Sequence, residues 1–332
     1  MKKTTLILLL TLGLLVLLGL LGSLYLLNAK TSNPEPKRLY LPEGSTYDAL
    51  CDSLDAPHSF RLMAQVLKLD QHVRPGSYVV GPHMKQLALV RKLRNGQQDP
   101  IRLTIGKFRT PDQLNNYLNQ KLMHDDFDIP LDSFYIVRPD TYEFYWTVTP
   151  AQFMQRMERE WRTESGKWKV ESGERRTENG ERVSTLSTFH FPLSTKEVII
   201  LASIVEEETN NNAEKPLIAS VYLNRLERGI PLQADPTVKY AVGDFTLRRI
   251  LNKHLATENP FNTYLHPGLP PAPICLPSKA SVEAVLNAPQ TGYLYFCASD
   301  RLDGTHRFAA TLAEHNRNAA AFHRALDSRG IR

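Results

Sequence analysis

The chain has 332 residues, a formal charge of +5 and three cysteines, a length that fits about two domains. The basic excess is small and forms no stripe of Lys and Arg interleaved with aromatics, so nucleic acid is not indicated as a partner, while an anionic membrane or wall polymer stays open. Cys51, Cys275 and Cys297 show no Cys-x-x-Cys or Cys/His ligand spacing, which argues against a disulfide framework and against structural zinc. Cys275 and Cys297 could pair in an exported domain, but three small buried hydrophobes is the simpler expectation.

Lys2 and Lys3 precede residues 4–29, a leucine-dominated run with no charged side chain. A spanning helix needs about 20 apolar residues, whereas a cleaved signal peptide has an apolar core of about 7–15 and a small-residue cleavage site, which the end of this run lacks. The reading is therefore a cytoplasmic tail at 1–5 and an uncleaved transmembrane anchor at 6–28, with a cleaved signal peptide as the alternative. Lys2 and Lys3 put the N-terminus in the cytoplasm and the bulk of the chain outside the inner membrane, facing the periplasm. Lys30, Lys37 and Arg38 on the far side run against that bias.

Residues 31–36 form a polar linker containing Pro34 and Pro36. An internal repeat follows: Arg38, Leu39, Thr46, Asp48, Leu50 and Leu54 fall without a gap on Arg102, Leu103, Thr110, Asp112, Leu114 and Leu118. Each copy predicts a short strand, a turn and a helix N-capped by threonine, with Pro111 at the first helical position of the second copy. Between the copies a helix is predicted over 60–69, a strand entering from the turn at Pro75-Gly76, and a helix over 84–93 stopped by Asn95-Gly96. Residues 164–188 are rich in Ser, Gly, Glu and Arg and poor in large apolar side chains, so they read as a solvated, flexible insertion with no catalytic part.

Ser194 and Glu197 make a capping box that opens a helix. The helix is apolar almost all round from 198 to 205, so it should be buried on most faces, and it ends in Glu206, Glu207 and Glu208. A second helix is predicted over 213–228, ending at Gly229. A proline-rich stretch leads to a buried strand at 293–297 and an amphipathic helix at 310–325. A carboxyl group keeps its proton near neutral pH when it is buried among apolar groups. Glu206 shares a helix face with Ala202 and Ser203, whereas Glu207 and Glu208 turn about 100° and 200° away and can stay solvated. The bland alternative is a solvated acidic helix end.

The run Leu201-Ala202-Ser203-Ile204-Val205-Glu206-Glu207-Glu208-Thr209 carries a resemblance. So do Ala219-Ser220-Val221-Tyr222-Leu223-Asn224-Arg225-Leu226, Leu232-Gln233-Ala234-Asp235-Pro236-Thr237-Val238-Lys239-Tyr240, Asn262-Thr263-Tyr264, Gly268-Leu269-Pro270-Pro271, Tyr293-Leu294-Tyr295-Phe296, His306-x-Phe308, Glu314-His315-Asn316 and, upstream, Pro139-Asp140-Thr141-Tyr142-Glu143. In these motifs and their order the chain resembles the MltG (YceG-like) family of endolytic murein transglycosylases.

The resemblance implies an α+β protein: an N-terminal transmembrane helix, a small LysM-like α+β module at 38–104 and a mixed α/β catalytic domain at 105–332. It implies a lyase that cleaves the MurNAc-GlcNAc bond of nascent glycan strands with 1,6-anhydroMurNAc formation, terminating their elongation without metal or cofactor. Glu206 is then the general acid/base, and peptidoglycan synthases are candidate partners beside the glycan strands. The resemblance also makes Gln233, Asp235, Asn262 and Tyr264 candidate substrate-binding residues; the alternatives are a helix start for Asp235-Pro236-Thr237 and loop packing for Asn262 and Tyr264. His306 and His315 read as supporting or structural groups. Arg225 reads as the partner of a carboxylate near Glu206. Ala272-Pro273 and Cys275-Leu276-Pro277 depart from the family pattern in loop geometry only. A hydrolytic muramidase on the same scaffold and a non-catalytic peptidoglycan-binding scaffold of the elongation machinery are the competing functions.

Overall fold

A computed structural model describes residues 2–166, 173–176, 182–185, 193–247 and 249–330. The chain divides into two compact units, 1–103 with 119–125 and 142–149, and 104–118 with 126–141 and 150–332.

The first unit begins with helix α1 (Lys2–Asn28), in which Ile7–Asn28 is long and apolar enough to cross a membrane. It continues with β1 (Lys37–Leu41), α2 (Tyr47–Ser53), α3 (His58–Val66), β2 (Gly76–Val80) and α4 (Gln86–Arg94). β1 and β2 pair antiparallel, Lys37 opposite Val80 and Leu41 opposite Gly76. On β1 only Leu39 and Leu41 are buried, the period of two expected of a strand with one face on the core. They pack with Leu50, Phe60, Leu69, Tyr78, Leu89 and Leu93 in one apolar cluster, against which Leu26 of α1 and Ala29 just after it also rest.

β3 (Ile101–Ile105) pairs with β4 (Asp140–Phe144), and α5 (Pro111–Lys121) lies between them in the chain. The predicted repeat is present: β3 and α5 begin the same distance after β1 and α2 as the sequence alignment requires. Thr46 Oγ1 accepts from Ala49 N at 3.2 Å, and Thr110 Oγ1 accepts from Gln113 N at 3.3 Å. α6 (Pro150–Ser165) follows, then two short strands that pair antiparallel, β5 (Gly173–Arg176) and β6 (Arg182–Thr185). The rest of the insertion expected at 164–188 lies largely outside the described residues.

The second unit is built on α7 (Thr195–Glu208) and α8 (Lys215–Glu227), followed by α9 (Asp235–Val242), α10 (Asn252–Leu255), α11 (Lys279–Leu286), the hairpin β7 (Tyr295–Ala298) and β8 (His306–Ala309), and α12 (Leu312–Ser328). The capping box is complete: Ser194 Oγ accepts from Glu197 N, and Glu197 Oε2 accepts from Ser194 N at 2.6 Å. All eight residues from Val198 to Val205 are buried. At about 1.5–3 kcal/mol for each fully buried large apolar side chain, this burial offsets the poor helix propensity of the β-branched residues. α8 closes with the paired bonds of a Schellman motif, Gly229 N to Leu226 O and Ile230 N to Arg225 O, with Gly229 at φ 64°. The strand expected at 293–297 runs from 295 to 298 and is only half-buried. The three thiols are free; Cys51 and Cys275 are buried and Cys297 is half-buried.

Candidate active site

α7 ends at Thr209, where the backbone turns extended, and its last turn presents three carboxylates in three directions. Each has its own partners, so the expectation that Glu207 and Glu208 stay solvated does not hold. Glu207 pairs with Lys107 at 2.9 Å and Arg109 at 3.0 Å.

Glu206 is a structural junction. Its Oε2 accepts from Lys215 Nζ at 3.0 Å, from Ser278 Oγ at 2.5 Å and from Ser281 Oγ at 2.5 Å. Lys215 opens α8, and Ser278 caps α11. The carboxylate thus joins three helices and sits at the positive N-terminal end of one of them. Burial pushes its pKa up, but the hydrogen bonds from Ser278, Ser281 and Lys215, with the charge of Lys215, outweigh burial and hold Glu206 below the ordinary carboxylate value. The raised pKa expected of Glu206 is therefore corrected: its environment favours the ionised form.

Glu208 has the opposite balance. It lines a cavity of about 390 Å³ together with Tyr222, Arg225, Gln233, Asp235, Tyr264, Tyr295 and His315. That volume falls within the range typical of ligand sites, about 300–1,000 Å³. Burial is the largest influence on Glu208 and drives its pKa up to about 7; the hydrogen bond from Tyr222 opposes the rise, and the charges of Asp235 and Glu207 add to it. Tyr222 Oη donates to Glu208 Oε1 at 2.5 Å from the buried face of α8. Removing that donor takes away support for the carboxylate. In Tyr222→Phe the Glu208 midpoint should therefore move upward by roughly one unit, seen as a shift of the alkaline limb of any Glu208-dependent activity to higher pH. A shift to lower pH would contradict this arrangement.

The opposite wall is pinned by a residue that the sequence reading passed over. Buried Thr263 accepts from Gln233 N through its carbonyl at 3.1 Å and from Ala234 N through its hydroxyl at 3.1 Å, and it meets Thr237 Oγ1 at 2.8 Å. Gln233 is held at φ 52°, a left-handed conformation uncommon for a residue other than glycine and costing of order 1–3 kcal/mol. Strain of this kind collects at ligand sites, where surrounding bonds over-determine it. Tyr264 Oη donates to Asp235 Oδ1 at 2.7 Å, which brings these two candidates together at the cavity.

Asn262 does not join them. It is wholly buried; its amide donates to Leu255 O and Thr257 O, both at 2.9 Å, and its Oδ1 accepts from Tyr264 N at 3.1 Å. It staples the loop and so orients Tyr264. The expectation for Arg225 is corrected. Among the described residues its guanidinium meets no carboxylate; it donates to Leu294 O at 2.7 Å, Leu232 O at 2.7 Å and Pro231 O at 3.1 Å, fixing two stretches of the cavity wall. His306 holds Glu214 through Nδ1 at 2.9 Å, away from the cavity lining. His315 lines the cavity and stacks on Tyr295, and burial with the nearby Arg225 charge pushes its pKa down.

The comparisons with known proteins agree with this architecture. A family model described as the YceG-like family matches residues 39–321. The endolytic murein transglycosylase of Bacillus subtilis (strain 168) is 43% identical over 125 residues, 38% of this chain and 34% of that protein. The endolytic murein transglycosylase of Streptococcus pneumoniae serotype 2 (strain D39) is 34% identical over 132 residues, 39% of this chain and 24% of that protein. The aligned stretches thus span about a third and about a quarter of these two relatives. A 2.6 Å crystal structure of a YceG-like protein from Listeria monocytogenes is similar over 86% of this chain and 99% of that one, with 26% identity and a TM-score of 0.50.

Proposed function

The chain belongs to the YceG-like family, and on that premise we propose that it is a membrane-anchored lytic transglycosylase acting on peptidoglycan glycan strands, with Glu208 as its general acid and base. The names of the Bacillus and Streptococcus relatives support the activity. The observation that carries the choice of Glu208 is a carboxyl group with its pKa at about 7 on the wall of the cavity. Glu206, two residues earlier, is the residue the sequence favours, but its ion pair with Lys215 and two serine donors suit a fixed carboxylate.

Protonated Glu208 donates to the oxygen that joins C1 of N-acetylmuramic acid to the next sugar. The C1–oxygen bond breaks, its electron pair leaves with the oxygen, and N-acetylglucosamine departs with a free hydroxyl. The Glu208 carboxylate then takes the proton from the C6 hydroxyl of the same muramic acid, whose oxygen bonds to C1 and closes the 1,6-anhydro ring. The proton is lent and returned, and no water is consumed. In this reading Gln233, Asp235 and Tyr264, which line the cavity, bind the sugar, the tyrosine through a ring face and the others through hydrogen bonds. Because a raised carboxyl pKa keeps the proton on below that value, cleavage should decline as pH rises through about 7.

The order β1-α2-α3-β2, with its antiparallel pair, supports a LysM-like, wall-binding reading of residues 38–104. Helix α1 supports a single inner-membrane span, and Lys2 and Lys3 support a periplasmic position for the remainder. Asp235, a second carboxylate on the cavity wall, favours one other reading, a hydrolytic muramidase. Digestion of uncrosslinked glycan strands by the detergent-solubilised chain, with product ends read by mass spectrometry, separates the two. Anhydro ends are expected; reducing ends would select the hydrolase, and no cleavage by the folded chain would leave only a scaffold.

A further inference from the structure

The joint between α1 and the first module carries an unneutralised pair of cations. Lys30 and Lys85 form an isolated antiparallel bridge, closed on either side by Thr31 N to Met84 O at 2.8 Å and Gln86 N to Ala29 O at 2.9 Å. With the bonds made by their neighbours, Lys30 and Lys85 are the non-hydrogen-bonded pair of the bridge, the kind whose side chains leave the same face at the closest spacing. Like charges placed directly opposite in this way are destabilising. Both lysines are exposed, and among the described residues neither ammonium has an acidic partner. Gln86 Nε2 donates to Lys30 O at 2.9 Å, and Leu26 and Ala29 pack on the module core, so the joint is fixed rather than a loose tether.

Position supplies the missing anion. Lys30 lies two residues beyond the end of α1, a reach of about 7 Å. The polar layer on each side of a bilayer is about 5–7 Å deep. We propose that Lys30 and Lys85 together clamp the phosphate of an acidic phospholipid in the leaflet where α1 emerges, seating the first module against the headgroups. The proposal rests on α1 spanning the membrane, and it accounts for cations on the side where the positive-inside bias would not put them. Each lysine near an anionic surface contributes about a fivefold gain in binding, so the pair should give about thirtyfold.

The test uses the full chain reconstituted in vesicles of phosphatidylcholine, with and without phosphatidylglycerol, and measures which lipid co-purifies after extraction. The wild type should retain phosphatidylglycerol in preference to phosphatidylcholine. Lys30→Gln with Lys85→Gln should lose most of that preference, Lys30→Arg with Lys85→Arg should keep it, and Lys279→Gln, far along the chain in the other unit, should leave it unchanged. In phosphatidylcholine alone, Lys85→Glu should raise the unfolding temperature by replacing repulsion with an ion pair. Several results would overturn the proposal: a double glutamine variant that keeps its preference, an equal loss in Lys279→Gln, or displacement of the lipid by inorganic phosphate at matched concentration. Failure of the chain to float with vesicles at all would instead reject the anchor on which the proposal depends.

Discussion

Glu208→Gln is expected to lower strand cleavage by about 10²–10⁴-fold, the usual contribution of a general acid, while leaving the protein folded and more stable at alkaline pH. The sign follows from proton linkage. Burial lifts the folded pKa of Glu208 from 4.5 to about 7, so the folded state binds a proton more tightly than the unfolded chain. Its carboxyl therefore disfavours folding progressively as pH rises above about 4.5, and fully above about 7. Glutamine carries no charge to desolvate and can still accept the Tyr222 hydrogen bond. The variant should gain about 1–3 kcal/mol over the parent at pH 8 and little at pH 4. A group made for catalysis at some cost to stability behaves in this way; a structural carboxylate does not. Chemical denaturation at several pH values, run beside the cleavage assay, checks both halves. Undiminished cleavage in Glu208→Gln would remove it from the mechanism.

Glu206→Gln should do the reverse. It leaves Lys215, whose side chain is only 4% exposed, as a buried cation without its counter-charge, at a cost of about 3–5 kcal/mol. For a domain of this size that lowers the unfolding temperature by on the order of 10 °C. Because the folded pKa of Glu206 is depressed, its stabilisation is present above about pH 4.5 and is lost as pH falls through the lower folded value; the variant should lack that acid-dependent loss. Adding Lys215→Met should restore part of the stability, since the double variant no longer buries an unpaired charge. At a temperature where the protein remains folded, cleavage should persist. An inactive Glu206→Gln that keeps the parental stability and its pH dependence would reverse the roles of the two glutamates.

Much of this was legible in the sequence. Ser194 and Glu197 announced the start of α7, Thr46 and Thr110 announced their helices, and the repeat predicted both strand–helix units because local capping and alternation are written in adjacent residues. The choice among three adjacent glutamates was not written there. Continuity with a buried stripe pointed to Glu206 through Ala202 and Ser203, but Ile204 and Val205, which lie beneath Glu208, are just as buried. A helix covered on all sides has no stripe to extend. What separates the glutamates is distant in the chain: Ser278 and Ser281 come from α11 to Glu206, while the wall opposite Glu208 is set by Arg225 and Thr263. The fate of Asn262 was likewise hidden, because its amide is satisfied by carbonyls that only the folded loop brings near.

The measurement that bears most directly on the account is a carboxyl titration of the full chain labelled with carbon-13 at the glutamate side chains. One glutamate should titrate with a midpoint near the value of about 7 expected for Glu208, vanish from the spectrum of Glu208→Gln, and coincide with the alkaline loss of strand cleavage. Loss of that resonance in Glu206→Gln instead, or titration of every glutamate below about pH 5, as ordinary solvated carboxyls titrate, would contradict the role of Glu208.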